Sequence, residues 1–159
     1  MRHLRPRLPG TARLVDPALS GLPAFLTADP GVSSGLMIAQ IVTASLVAEL
    51  KLRAAPASVD SIPTTANKED HVSMGVGAAL KARESVRLLE SVLAIELLCA
   101  AQGLEFLAPL QPGRGVQRAR DRLRAAVPPL DRDRPLAPDI AAVEELVRAG
   151  AFVDLEREA

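Results

Sequence analysis

The sequence predicts an all-α protein. Its apolar content, 48% of 159 residues, is almost entirely aliphatic: three Phe, no Trp and no Tyr leave Ala, Leu and Val to build a core. Ala and Leu favour helices, and no tightly alternating β-branched run marks a strand. Two long apolar runs separated by a polar, non-periodic stretch supply the helical pattern. The length allows at most one ordinary domain.

Residues 1–33 are rich in Pro and Gly (Pro6, Pro9, Gly10, Pro17, Gly21, Pro23, Pro30, Gly31) and are expected to be mostly extended with short turns, setting them apart from a helical portion over 34–159. Ser33 or Ser34 is placed to cap a helix running from Gly35 to about Arg53. That run is apolar nearly all round, which fits either a membrane span or a helix buried on every side. Gln40, Thr43, Ser45, Glu49 and Lys51 interrupt it too often for a lipid-facing span of ~20 residues, so it reads as a core helix. A second long helix is expected from about Val76 to Gln102. Lys81, Arg83, Glu84, Arg87 and Glu90 cover its first half, while Val92 to Leu98 widen the apolar face so that the second half must be buried. Residues 113–127 form an amphipathic helix with a basic face, stopped by Pro128 and Pro129. After the polar turn DRDRPLAPDI, Pro138 at a first helical position opens a last helix, Asp139 to Ala149, ended by Gly150.

Nineteen basic and nineteen acidic residues cancel, leaving no overall field to hold a polyanion, so nucleic acid is not an expected partner. One cysteine, Cys99, rules out an intramolecular disulfide framework and sits in an apolar helical run as a small hydrophobe. A reducing, cytoplasmic setting fits. The basic start MRHLRPRLPG is followed by prolines and polar residues instead of an apolar core, unlike a secretory signal. Burying one Leu or Val is worth about 1.5–3 kcal/mol, and two continuous apolar helix faces cannot satisfy each other within this length. Further chain or further subunits are implied.

The stretch ASVDSIPTTANKEDHVSMG, 57–75, interrupts the two helices. A plain connector needs only a few residues, and a long loop with specific polar groups is a candidate functional segment. SGLMIAQ (34–40), this stretch, VLAIELLCAAQGLEF (92–106) and DRDRPLAPDI (131–140) closely resemble the C-terminal part of bacterial histidine ammonia-lyases, with DPALSGLPAFLT (16–27) matching upstream. The likeness extends from about Arg13 onward, and the form EDHVSM resembles the histidine-specific branch more than the phenylalanine or tyrosine branches.

The resemblance implies an all-α subunit of a homotetramer, a central bundle of long helices and active sites shared between subunits. Its activity would be conversion of L-histidine to urocanate and ammonia in histidine catabolism. The family's electrophile, a methylidene-imidazolone, forms from Ala-Ser-Gly. This chain has no such tripeptide, and Ser33-Ser34-Gly35 falls where the family has a helix start, so the group is expected from a missing N-terminal portion. The family's tyrosine base is absent too, so no catalytic residue is assigned to this chain. By the same resemblance Glu69 lies beside the substrate's imidazole, where an ionised acceptor makes a charge-assisted bond to a ring N–H. Asn67, Lys68, Asp70 and His71 are candidates for a supporting layer, with Asn67 and Asp70 ordering the loop through side-chain to backbone bonds.

No metal site is expected. Only His3 and His71 exist, Glu69, Asp70 and His71 are too closely adjacent to converge on one ion, and no helical H-x-x-x-H spacing occurs. His71 reads as a structural, hydrogen-bonded histidine. Asp121 interrupts the row Arg114, Arg118, Arg120, Arg122 and Arg124, which reads as a solvated helix face. Lys68 departs from the Gln usual in the family and bears on activity more than on fold, because an ammonium buried beside that carboxylate would pair with it or pay for desolvation. Two function classes follow: an enzyme component that is inactive alone, or a non-catalytic remnant or assembly subunit that keeps the helical surfaces. An adjacent frame encoding the N-terminal portion would favour the first.

Overall fold

The computed structural model describes residues 10–153 and 155; His3 and the basic N-terminus lie outside them. Every regular element among the described residues is helical: α1 (Gly10–Leu14), α2 (Pro17–Ser20), α3 (Met37–Arg53), α4 (Gly75–Glu105), α5 (Arg114–Ala126) and α6 (Ala137–Arg148), with 3₁₀ turns at Ala24–Leu26 and Ala57–Asp60.

At 31 residues, α4 is about 46 Å long and serves as the central post. Its second half is buried on two sides. Ile95 and Cys99 pack with Val15, Leu26, Leu36, Ala39 and Leu130, while Ala94, Leu98 and Ala101 pack with Leu123, Val127 and Val143 from α5 and α6. No residue of α4 before Val92 is buried, matching the division the charge pattern predicts. Burial and the nearby Glu96 push the Cys99 thiol up to about 12, so it sits in the core as a protonated hydrophobe.

Several expectations change. The segment before α3 is built of short helices, and it enters the core through Val15 and Leu26. A backbone bond within it, Phe25 N–H to Val15 O at 3.0 Å, folds it back on itself, and another, Leu36 N–H to Phe25 O at 2.8 Å, ties it to the residue that opens α3. Next, α3 is not buried on every side within this chain: only Ala39 and Thr43 are buried, whereas Ile38, Ile41, Val42 and Leu52 are exposed, Leu52 at 72%. Finally, neither serine caps α3. The Asp133 carboxylate, about a hundred residues on, instead holds the two amides just ahead of the helix, accepting the Ser34 N–H at 2.7 Å and the Gly35 N–H at 2.9 Å. Those two bonds favour the ionised form and hold Asp133 below the usual carboxylate range.

The arginine row of α5 is likewise not a solvated face. Arg120 and Arg124 both grip Glu105 of α4, at 2.9 and 3.0 Å, and Arg122 donates to Ala151 O at 2.5 Å while Arg118 donates to Leu155 O. Burial alone would raise the Glu105 pKa; the hydrogen bonds and charges of the two arginines outweigh it and hold the carboxyl below its ordinary value. Buried Gln102 accepts the Leu130 N–H at 3.0 Å and donates to Leu130 O at 3.2 Å, locking the start of the 128–136 turn against α4. Arg134 holds the rest of that turn through Pro128 O, Pro129 O and Asp139. The last helix begins two residues earlier than expected, with Pro138 still in its first turn. It ends as predicted at Gly150, whose φ of +71° lets Ala151 N–H reach Leu146 O while its own N–H reaches Val147 O.

Candidate functional site

The loop joining α3 to α4 is pinned at its base by Lys81, whose Nζ donates to Ala55 O at 2.9 Å. Beyond the Ala57–Asp60 turn, Val72 N–H donates to Ser61 Oγ at 2.9 Å and draws the two limbs together. Pro63, with φ fixed and no N–H, leads into a tight reversal. Thr64 and Glu69 pair across it through both backbone groups, N–H to O at 2.9 and 3.4 Å. The residues at its tip, Thr65, Ala66 and Asn67, all lie in the left-handed region with φ of 53°, 54° and 66°. Asn tolerates that conformation, but Thr and Ala pay roughly 1 kcal/mol or more each for it.

The reversal presents Glu69 on its returning limb. One carboxylate oxygen, Oε2, accepts the Thr64 hydroxyl at 2.9 Å, leaving Oε1 free to accept another donor. Asn67, Lys68, Asp70 and His71 are exposed around it. Among the described residues Lys68 makes no ion pair with Glu69, and both side chains are exposed. Among the described residues the side-chain bonds that order the loop come from Ser61 and Thr64, with none from Asn67, Asp70 or His71, where Asn67 and Asp70 were expected to order it and His71 to be hydrogen-bonded. Sequence reasoning passed over Thr64; its available signal was a hydroxyl five residues before a carboxylate across a Pro-led turn. Among the described residues no three His, Cys, Asp or Glu side chains group as metal ligands.

Ser33-Ser34-Gly35 is occupied as the lead-in to α3. Gly35 has φ of +53°, and a Cβ there would lie 2.5 Å from Phe25 O; the Ser34 and Gly35 amides are both held by Asp133. Beside it opens an apolar groove of about 700 Å³ between α3 and α6, lined by Ile38, Val42, Leu136 and Ile140 with Asp133 and Glu144 at its polar edge. None of the predicted site residues lines this groove.

With loop and helices placed, the relatives can be set beside them. The family model described as aromatic amino acid lyase matches residues 10–125, which take in α1 to α4, the whole loop and most of α5. The chain belongs to this family. It is 59% identical over 141 residues to the histidine ammonia-lyase of Symbiobacterium thermophilum, covering 89% of this chain and 28% of that protein. The histidine ammonia-lyase of Myxococcus xanthus is 52% identical over 92% of this chain and 29% of its own length. The crystal structure of histidine ammonia-lyase from Trypanosoma cruzi superposes with a TM-score of 0.89 at 43% identity, covering 93% of this chain and 29% of that one. The chain therefore spans under a third of the length of the relatives it matches. Among the described residues no helix is long and apolar enough to cross a membrane.

Proposed function

We propose that this chain is the C-terminal portion of a histidine ammonia-lyase, supplying a substrate-binding loop and bundle-forming helices to an enzyme that converts L-histidine to urocanate and ammonia. The observation that carries the reading is the loop itself: a strained, hydroxyl-braced reversal that presents the Glu69 carboxylate with one oxygen free, in a chain 59% identical to a histidine ammonia-lyase. In the assembled enzyme that oxygen accepts an imidazole N–H, and removal of water on assembly strengthens the bond. Asn67, Lys68, Asp70 and His71 flank the contact as a supporting layer. The exposed apolar residues of α3 and α4 are covered by the N-terminal portion and by homologous subunits of a homotetramer, in the cytoplasm, with neither nucleic acid nor a membrane as partner.

The methylidene-imidazolone of the family has no fitting precursor here. The sequence lacks Ala-Ser-Gly and Tyr, and its nearest tripeptide is committed to the α3 lead-in. Electrophile and base both belong to the complementing portion. Lys68 favours a second reading, an assembly subunit without turnover, since an unpaired ammonium beside Glu69 would compete with the substrate for the same carboxylate once both are desolvated.

The test is complementation. The isolated chain should give no urocanate above a no-protein control, followed by ultraviolet absorbance. Joined to the N-terminal portion of the Symbiobacterium thermophilum relative it should turn over L-histidine, and Glu69→Gln should then lower kcat/KM roughly tenfold or more, the worth of a charged hydrogen bond. Activity of the isolated chain, or an unaffected Glu69→Gln enzyme, would remove the reading; a complemented enzyme that is silent until Lys68→Gln would select the second one.

A further inference from the structure

We infer that Thr64 is a positioning residue for the substrate contact, holding the Glu69 carboxylate so that one oxygen is fixed and the other is presented. The inference rests on the reading of Glu69 as the imidazole acceptor. A glutamate on an exposed turn has three side-chain torsions to lose on binding, an ordering cost that falls on the substrate unless the protein has already met it. Here the cost is met locally. The paired backbone groups of Thr64 and Glu69, N–H to O at 2.9 and 3.4 Å, put the two side chains directly across from each other, and the Thr64 hydroxyl reaches Oε2 at 2.9 Å. Threonine suits the task because its β-branch restricts χ1, so the donor is itself held. The hydroxyl takes up only one of the carboxylate's acceptor oxygens, which leaves Oε1 with its lone pairs for an N–H of the incoming ring.

The left-handed run Thr65, Ala66 and Asn67 shows what the arrangement costs. A strained reversal is kept where it aims a group, and the group at its returning end is Glu69. Lys68 sits beside it at the end of the turn, its N–H given to Thr65 O at 3.2 Å, and its side chain makes no ion pair among the described residues. The aim of Glu69 is therefore set by a neutral donor, which leaves the negative charge of the carboxylate undiminished for the substrate.

The experiment uses the complemented enzyme and the variants Thr64→Val, Thr64→Ser and Glu69→Ala, with the Thr64→Val/Glu69→Ala double variant. Thr64→Val keeps the shape and removes the donor; it should raise KM for L-histidine three- to tenfold with a smaller change in kcat, while Thr64→Ser stays within twofold of the parent. In the Glu69→Ala background Thr64→Val should have no further effect, because a residue that acts through the carboxylate has nothing left to position. An effect of Thr64→Val that persists without Glu69, or that Ser fails to restore, would overturn the positioning role while leaving Glu69 as the contact. An unaffected Glu69→Ala enzyme would overturn the contact itself. The chain alone gives an independent measurement: three-bond couplings across χ1 and χ2 of Glu69 should report one rotamer in the parent and Thr64→Ser and averaging in Thr64→Val. Averaged couplings in the parent would sink the inference without recourse to activity.

Discussion

The two halves of α4 differ in how much of their apolar surface the described residues cover. From Val92 to Gly103 the helix touches α1, α3, α5 and α6 and buries eight residues. From Gly75 to Ser91 it buries none, although Val76, Leu80, Val86 and Leu89 are as apolar as the residues below them, and Val76 is 77% exposed. Ala79, Ala82, Val86, Leu89 and Leu93 recur at spacings of three and four, the pattern of a seam made to meet another helix. The lower half completes a core within the chain. The upper half leaves its apolar residues uncovered among the described residues, and the loop bearing Glu69 leads directly into it.

The widest separation between the halves should appear in stability. Ile95 is fully buried, and Ile95→Ala should cost about 2–5 kcal/mol. Leu80→Ala in the same isolated chain should change stability by less than about 0.5 kcal/mol, because its side chain is half in water already. Urea unfolding at low protein concentration measures both. Equal losses would mean that the upper half finds a partner in the isolated chain, most simply a second copy. Light scattering tests that directly: the parent should self-associate through the exposed seam, and Val86→Lys with Leu89→Lys should reduce the association.

The next contrast concerns the tie between the N-terminal segment and α3. Gly35→Ala forces a Cβ against Phe25 O at a φ that alanine avoids, and should cost about 1–3 kcal/mol. Glu105→Gln removes the charge shared by Arg120 and Arg124, and about 1–2 kcal/mol should go with it. Thermal unfolding ranks the two, and a neutral Gly35→Ala would show that the lead-in to α3 is not constrained as described.

What was legible in the sequence follows from range. The split of α4 could be read because charges and apolar residues alternate with helical period within a few turns, and the end of α6 because Gly150 carries its own signal. The lead-in to α3 could not: Ser33 and Ser34 satisfy the local capping rule, but neither caps the helix, and Asp133, about a hundred residues on, holds the Ser34 and Gly35 amides ahead of it. The arginines of α5 looked solvated because their acceptor, Glu105, lies on another helix. The apolar face of α3 was read as needing cover, and among the described residues most of it stays exposed. At the candidate site, Glu69 was nominated through resemblance and the loop through its length, whereas the Thr64 bond to Glu69 needed the reversal to be built, since only the turn brings hydroxyl and carboxylate together.

The smallest expected effect is an acid one, and it distinguishes the two carboxylates that hold the lower structure together. Asp133 and Glu105 are both held below their ordinary values of 3.8 and 4.5. A depressed carboxyl contributes stability in full above its unfolded value and loses it as pH falls through the lower folded value, since the unfolded state then binds more protons than the native one. Acid should therefore loosen both ties below about pH 4 and leave neutral and alkaline stability untouched. The consequences differ by place. Glu105 bridges two helices of the core, so its protonation should lower the global unfolding free energy. Asp133 is exposed and holds the two amides ahead of the helix, so its protonation should free only the lead-in to α3. Hydrogen exchange at the Ser34 and Gly35 amides, after correction for intrinsic rates, should accelerate on acidification before the Leu98 amide does. Asp133→Asn should bring that loss of protection to neutral pH and remove its acid dependence. Simultaneous acceleration at Leu98 would show that the cap and the core open as one unit, and that the remote carboxylate supports the whole fold instead of one helix end.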